Sequence, residues 1–417
     1  MTVIDLGELR DEAPAPGTAD RPPRAVGRPF RVAAVLLVAL VTLAAAVPSG
    51  RPAPRRIPGG TGAAAFLSGD RAYVVRRAER EPGWEVVAYR EGRPRWRAAV
   101  PAGGDVVGLW EQGGRALAVA RTGVGAGDSG WETAAFDAGT GALRWRQAGV
   151  AFPAGDALLL RPDGEAPLRR VATDDGRTLW SAPANRDVLF GFGPSGVDRI
   201  LLVPGSGETV VLNAATGARL AARDLHPDEE LPGGRGLQST DGLLLETRGA
   251  GARVQAYELD TLRPRWTAEL PLVDHLERCG ALLCAARQTG GMWALDPDTG
   301  AVRWTVERWQ SVLRADAGRL LVATGGSGGD RLAVLDAADG RLVADLGDWA
   351  VLPQSEIAGR LFLTRPLGGG RQILAEPDLS GGPPVLRDVL TGTDCTAGTT
   401  LLVCRQPDGD FTLRSLP

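Results

Sequence analysis

A short motif recurs along this chain, in which a turn glycine is followed four residues later by tryptophan. Four strong copies, REGRPRW, DAGTGALRW, TDDGRTLW and DPDTGAVRW, end at Trp96, Trp145, Trp180 and Trp304. Weaker copies end at Trp266, where Leu262 replaces the glycine, at Ala221 and Ala344, where alanine replaces tryptophan, and at Leu386. These eight positions are spaced by about 41 residues on average. Such a period is typical of one four-stranded blade of a β-propeller.

The residues around each copy explain the local structure. Short strands rich in Val, Leu and Ala precede the turn, and a further strand follows it. Asp or Asn at the start of D-x-x-T-G bonds back to the chain, and glycine accepts the positive φ that closes the hairpin. No stretch after residue 50 keeps a 3.6-residue apolar period for three turns, which predicts an all-β domain over residues 63–417.

The number of motif copies predicts an eight-bladed β-propeller. Seven blades are the alternative, because the copy that ends at Leu386 is degenerate. Two more strands follow it, and we expect them to close the ring against the N-terminal blade and leave no open sheet edge.

The recurring tryptophans are predicted to pack between blades. Adjacent blades diverge outward, and a large flat side chain near the outer strand fills the wedge between them. An aromatic ligand platform is the alternative, but Ala221, Ala344 and Leu386 would interrupt it. The residues assigned to blade packing are Trp96, Trp145, Trp180, Trp266 and Trp304.

The first 50 residues differ in composition from the rest. Residues 1–31 are polar, rich in Pro and Ala and of mixed charge, which predicts a disordered cytoplasmic tail. Residues 32–50 carry no charge and are almost all apolar, which predicts a transmembrane signal anchor. A cleavable signal peptide is the alternative, because three alanines at 44–46 could be accepted by a signal peptidase. An Arg- and Pro-rich linker over residues 51–62 would join the anchor to the propeller.

The charge distribution argues against a nucleic-acid partner. The chain has 47 basic residues, all of them arginine, and 50 acidic residues, with both signs mixed throughout. A nucleic-acid-binding protein usually gathers a basic excess on one face or in a tail. Two histidines and four cysteines also leave little material for a metal centre or a histidine-based active site.

The four cysteines form two local pairs, each next to a predicted hairpin. Directly opposed Cα atoms of antiparallel strands lie within disulfide range, so we predict bonds between Cys279 and Cys284 and between Cys395 and Cys404. A zinc site built from His275, Cys279 and Cys284 is the alternative. Disulfides require an oxidising compartment, which would place the propeller outside the cytoplasm and the N-terminus inside.

The repeat ALDPDTGAVRW resembles the PQQ-type propeller repeat of quinoprotein alcohol dehydrogenases and of the propeller lipoprotein in the outer-membrane β-barrel assembly machinery. The resemblance covers roughly residues 63–417. The segments CGALLC and CRQPDGDFTLRSL are similar to those of membrane-anchored PQQ-like propeller proteins of actinobacteria, whose functions are largely unassigned. The quinoprotein enzymes have a disulfide between neighbouring cysteines, an Asp base and a calcium site. This sequence lacks a recognisable counterpart of each, so we expect no cofactor, no metal and no catalytic residue.

The sequence therefore predicts a non-catalytic, membrane-anchored propeller that binds or scaffolds an envelope protein or a cell-wall component such as a polysaccharide. The alternative is a propeller that binds a quinone or another small ligand. The candidate contact loop is the insertion from His226 to Gln238, which carries Asp228, Glu229 and Glu230.

Overall fold

The computed structural model describes residues 53–416, with gaps at 79–82, 102–104, 123–129, 165, 184–186, 205–207, 226–234, 241, 250–251, 326–329 and 355–359. The predicted tail, the predicted anchor and Asp228, Glu229 and Glu230 lie outside the described residues. Every regular element within these ranges is a β-strand, which confirms the all-β prediction. None of the described residues belongs to a helix that could cross a membrane.

The strands follow one another as antiparallel groups, which we number as blades 1 to 9 in chain order. Blades 1 to 3 consist of β2 (Ala64–Ser68), β3 (Arg71–Arg77), β4 (Trp84–Arg90) and β5 (Arg93–Ala99); β6 (Val106–Gln112), β7 (Arg115–Thr122), β8 (Gly130–Asp137) and β9 (Leu143–Ala148); and β10 (Val150–Ala154), β11 (Ala157–Arg161), β12 (Leu168–Ala172) and β13 (Thr178–Ala182).

Blades 4 to 6 have the same arrangement of four strands each. They consist of β14 (Asp187–Gly193), β15 (Gly196–Val203), β16 (Glu208–Asn213) and β17 (Arg219–Asp224); β18 (Arg235–Thr240), β19 (Leu243–Arg248), β20 (Arg253–Glu258) and β21 (Pro264–Glu269); and β22 (Val273–Cys279), β23 (Leu282–Arg287), β24 (Met292–Leu295) and β25 (Val302–Val306).

The last three blades depart from this plan at two places. They consist of β26 (Ser311–Asp316), β27 (Arg319–Ala323), β28 (Asp330–Asp336) and β29 (Leu342–Val351); β30 (Leu363–Gly368), β31 (Arg371–Glu376) and β32 (Val385–Thr391); and β33 (Thr393–Ala397), β34 (Leu401–Arg405) and β35 (Phe411–Ser415) with β1 (Arg55–Ile57). The end of β29 pairs with β30 and so supplies the inner edge of blade 8. Blade 9 takes its outer strand from the other end of the chain.

Blade 9 joins the two ends of the described chain. In β1, Arg55 lies opposite Leu413 and Ile57 lies opposite Phe411. Buried side chains of blade 9 also pack with Leu67 and Val74 of blade 1 in one hydrophobic cluster. The strands after Leu386 therefore lie against the first blade, as expected. Their edge partner, however, comes from the segment that the sequence predicted to be a linker.

The described strands pair in seven sheets, two of which join neighbouring groups through β10–β15 and β29–β30, and they fall into nine groups where the sequence predicts eight blades, or seven. The prediction counted turn-and-tryptophan motifs, each of which marks the connection into a blade's outer strand. Blade 9 has no such connection, since its outer strand β1 precedes all the others in sequence. A count of motifs therefore misses it.

Four tryptophans hold their blade to the next blade through the same contact, which we call the tryptophan latch. The indole Nε1–H donates to a turn carbonyl of the following blade over 2.8 to 3.0 Å. The ring lies against the turn glycine, so closely that a Cβ on Gly141 would come within 2.5 Å of Trp96. Gly141 also has a φ of +75°. Glycine is thus required both by the backbone and by the ring. The pairs are Trp96 with Ala138, Trp145 with Thr173, Trp266 with Pro297 and Trp304 with Ala337.

The aspartate of the D-x-x-T-G turn fixes the turn geometry. In blade 6, one carboxylate oxygen of Asp296 accepts the backbone N–H groups of Asp298 and Thr299, each over 3.0 Å. The other oxygen bonds Arg303 over 2.5 Å. This bond to Arg303, with the turn hydrogen bonds, lowers the pKa of Asp296 to about 2. The carboxylate therefore stays ionised at neutral pH and holds Gly300 in position for the latch.

At the interface between blades 4 and 5, the small and the large side chain of the latch pair have changed places. Ala221 stands where other blades have tryptophan, and Leu262 stands where they have the turn glycine. Leu262 adopts a φ of +54° and is 0% exposed, and it packs in one cluster with Ala221 and Leu244. The leucine side chain thus supplies the apolar volume that an indole supplies elsewhere. This explains how the repeat tolerates an alanine at the tryptophan position.

Loss of one latch tryptophan should destabilise the propeller strongly. We expect Trp266→Ala to lower the free energy of unfolding by about 3 to 5 kcal/mol, because a large buried side chain is removed. Trp266→Phe should cost less, about 1 to 2 kcal/mol, since it mainly leaves the Pro297 carbonyl without its donor. Guanidinium denaturation measures both. Trp293→Ala is the control, because that half-buried ring lies in β24 of blade 6 and packs in the same hydrophobic cluster but makes no latch, and an equal loss in this variant would contradict the assignment.

If Ala221 and Leu262 share one space, the effects of substitutions at these two positions on the free energy of unfolding should be strongly coupled. Ala221→Trp alone should overpack against Leu262 and cost about 1 to 3 kcal/mol. Leu262→Gly alone should leave a cavity and cost about 2 to 5 kcal/mol, reduced by relief of the positive φ. The double variant restores the common latch pair and should be more stable than the sum of the two effects predicts. Additive effects in chemical denaturation would show that the two side chains do not share one space.

Candidate functional site

The two predicted cysteine pairs lie at disulfide distance. The Sγ atoms of Cys279 and Cys284 are 2.10 Å apart, and those of Cys395 and Cys404 are 2.01 Å apart. Each bond joins the first two strands of its blade, and all four side chains are buried. The bonds brace the inner parts of blades 6 and 9 and do not reach the surface.

The zinc alternative required free thiolates at Cys279 and Cys284, and both sulfur atoms belong to the disulfide. The third proposed ligand, His275, is half-buried, and its Nδ1 lies 3.0 Å from a carboxylate oxygen of Asp274. Among the described residues, no cluster of three or more His, Cys, Asp or Glu side chains could hold a metal ion.

The predicted blade-packing tryptophans lie at separate interfaces between blades. Trp180 differs from the four latch residues: its ring also lies near the turn glycine of the next blade, Gly217, but its Nε1–H has no acceptor in the described part of the chain. Trp180 belongs to the blade just before the Ala221–Leu262 exchange. The regular pattern of latches thus weakens on approach to blades 4 and 5.

The same interface contains an open cleft of about 500 Å³. The turn end of β14–β15 in blade 4 forms one wall, and the ends of β18 and β20 in blade 5 form the other. The side chains that concern its chemistry are Phe192, Asp198, Arg199, Ser239, Thr240 and Asp260.

Phe192 is the most unusual side chain of this cleft, because its ring is 66% exposed. The pairing of β14 with β15 shifts register between Gly191 and Phe192, and such a bulge redirects the following side chain. The ring of Phe190 supports that of Phe192 edge-on at 6.4 Å, and Phe152 lies 4.8 Å beyond Phe190. A short row of aromatic rings therefore runs from the blade interior to the exposed Phe192.

An ion pair crosses the cleft and joins blade 4 to blade 5. Arg199 of blade 4 contacts both carboxylate oxygens of Asp260 in blade 5, over 2.5 and 3.0 Å. The hydrogen bond from Arg199 lowers the pKa of Asp260. The Ser239 hydroxyl also crosses between the blades and donates to the Phe190 carbonyl over 2.6 Å. Directional polar contacts thus align the two walls.

Sequence reasoning did not identify any of the cleft residues. One local signal was present in LFGFG, where Gly191 and Gly193 alternate with phenylalanines inside a strand, a pattern that indicates a bulge. The exchange of Ala221 and Leu262 was visible too, but not its link to an exposed ring two strands away. The predicted contact loop with Asp228, Glu229 and Glu230 lies outside the described residues.

Comparisons with known proteins support the fold only. No family model and no curated protein matches the sequence. A eukaryotic initiation factor structure is similar over 82% of this chain and 91% of that chain, with 11% identity and a TM-score of 0.52. BamB from Moraxella catarrhalis matches over 88% and 99% of the respective chains, with 18% identity and a TM-score of 0.42. A europium-containing methanol dehydrogenase matches over 86% and 84%, with 11% identity and a TM-score of 0.42.

Identities this low concern the fold alone, and the two likenesses with TM-scores of 0.42 carry no argument about function. The successive four-stranded sheets, the pairing of β1 with β35 and the packing of blade 9 against blade 1 define the class of the protein. The chain is a β-propeller.

The ion pair across the cleft should contribute stability that depends on pH. The pKa of Asp260 is lower in the folded state than in the unfolded chain, where it is about 3.9. The ionised carboxylate therefore stabilises the fold above this unfolded-state pKa, and the contribution is lost as the pH falls through the folded-state pKa. Arg199→Gln should cost about 1 kcal/mol or less at neutral pH, because the pair is partly exposed and solvent screens it. In urea denaturation, the difference from wild type should shrink below about pH 4. A difference that stays constant into acid, or that persists in an Asp260→Asn background, would contradict this role.

Proposed function

We propose that this protein is a non-catalytic, membrane-anchored binding module whose propeller acts outside the cytoplasm on an envelope protein or a cell-wall component. The observation that carries the proposal is the exposed Phe192 ring in the cleft between blades 4 and 5. An apolar ring beside a few polar groups in a concave cleft is the composition typical of a ligand-binding site. Binding residues of this kind are commonly presented by turns on a rigid scaffold.

The sequence features outside the cleft support the proposed location. The uncharged segment 32–50 has the length of a single membrane span. Two disulfides support an oxidising environment for the propeller. An anchor at one end and a rigid ring at the other suit a module that presents a binding surface near a membrane.

The charges of the cleft suit recognition better than catalysis. Asp260 and Arg199 neutralise each other, and the lowered pKa of Asp260 makes this carboxyl a poor proton donor at neutral pH. Asp198 lies 3.8 Å from Arg199, so its charge is partly balanced as well. Such a set can position a ligand, whereas acid–base catalysis needs a group with a pKa near the working pH.

Site-specific photo-crosslinking in the source cells tests the proposal. A benzophenone amino acid at position 192 should give one major adduct, whereas the same amino acid at position 386 should give none. Leu386 is a matched control, because it is equally exposed at 66% but lies on blade 8, away from the cleft. Mass spectrometry then shows whether the adduct contains protein or glycan.

Two outcomes would contradict the proposal. One is the absence of an adduct specific to position 192. The other is stoichiometric quinone binding with dye-linked alcohol oxidation by the purified protein, which would support the small-ligand alternative.

A further inference from the structure

We infer that the cleft between blades 4 and 5 binds a neutral polysaccharide, with one sugar ring stacked on Phe192. This inference rests on the proposed function and names the ligand class for the same site. It follows from the shape of the cleft, from its aromatic ring and from the arrangement of its polar groups.

The shape of the cleft fits an extended chain. It is open to solvent and has a volume of about 500 Å³, so part of a longer chain could lie in it while the rest stays outside. Glycines form part of its wall, and there is no spare space behind Gly191, where a Cβ would come within 3.0 Å of Arg199 and of Leu259. Gly242, in the opposite wall, has a φ of +76°. The backbone therefore keeps the trough free of side chains at these points.

The exposed ring provides the apolar part of the recognition. One face of a pyranose carries only C–H groups, and it packs well on a flat aromatic ring. Phe192 is held by its contact with Phe190, so little side-chain freedom is lost when a ligand stacks on it. A lone exposed aromatic ring without an apolar rim suits a sugar better than a lipid tail.

The polar groups around the ring match the hydroxyl groups of a sugar, each of which can both donate and accept. Arg199 and Asp260 form a planar pair whose outer edges remain accessible. The Thr240 hydroxyl has no hydrogen-bond partner among the described residues. The carboxylate of Asp198 is half exposed and lies beyond hydrogen-bond distance from Arg199. The cleft therefore offers both donors and acceptors.

The charge of the cleft disfavours polyanions. Asp198, Glu258 and Asp260 face a single cation, Arg199, so the lining is net negative. A phosphate polymer or an acidic glycan would be repelled, because like charges in a cleft raise the cost of association. A neutral saccharide meets no such cost and uses the carboxylates as hydrogen-bond acceptors.

Binding of defined oligosaccharides tests the inference. The full-length protein is purified in a detergent without a sugar headgroup and titrated with tetramers of glucose, mannose and N-acetylglucosamine, followed by saturation-transfer NMR. We expect at least one tetramer to bind with a dissociation constant of about 1 mM or lower. Phe192→Ala should weaken that binding about tenfold, equivalent to about 1.4 kcal/mol, because the stacking contact with the aromatic ring is lost. Phe192→Trp should retain it.

Leu386→Ala is the control, because it removes an equally exposed apolar side chain from another blade and should leave binding unchanged. Asp198→Asn, which keeps an acceptor but halves the acceptor capacity, should weaken binding less than Phe192→Ala. Equal thermal melting of all variants excludes unfolding as the cause of any loss.

The failures of this inference and of the proposed function can be told apart. If none of the tetramers binds at about 10 mM, roughly tenfold above the weakest constant expected, the saccharide inference is overturned. It is also overturned if Phe192→Ala binds like wild type. A protein adduct at position 192 without saccharide binding would leave the proposed binding function standing and would remove only the ligand class. The absence of both an adduct and binding would remove both.

Discussion

The contact between an indole ring and a turn glycine of the next blade holds this structure together. A four-stranded sheet cannot bury both of its faces alone, so each blade depends on its neighbours. The tryptophan latch supplies apolar area, a hydrogen bond and a fixed distance in one contact, as in Trp304 with Gly340 and the Ala337 carbonyl. It also explains why the glycine and the tryptophan recur together, because the indole ring packs in the space that a side chain at the glycine position would fill.

One of the interfaces that lack this latch, between blades 4 and 5, carries the cleft. At blades 4 and 5 the apolar contact passes to Leu262, and the alignment of the two walls passes to the pair of Arg199 and Asp260. A polar pair leaves more open space than an indole. The departure from the repeat and the exposed Phe192 therefore occur at one interface, where other contacts than a latch provide the stability.

The sequence predicts what is repeated and misses what occurs once. The period, the turn chemistry and the opposed cysteines all follow from local rules, so the all-β fold, the cysteine pairs and the packing role of the tryptophans could be predicted. The strand Arg55–Ile57 could not, because three residues carry no periodic pattern and their partner Leu413 is at the other end of the chain. The exposure of Phe192 depends on one bulge, and phenylalanine in a strand is ordinarily buried.

The position of β1 has a consequence for how the protein is made. Its partner strand β35 ends at Ser415, so almost the whole chain must leave the ribosome before the ring can close. Until then blade 1 exposes an apolar face that includes Leu67 and Val74, which are later covered by blade 9. Contacts between residues so distant in sequence form slowly, and until they form the uncovered part of blade 1 is prone to pairing with other chains. During synthesis there is therefore a period in which the uncovered edge of the unfinished ring must be kept from pairing with other chains.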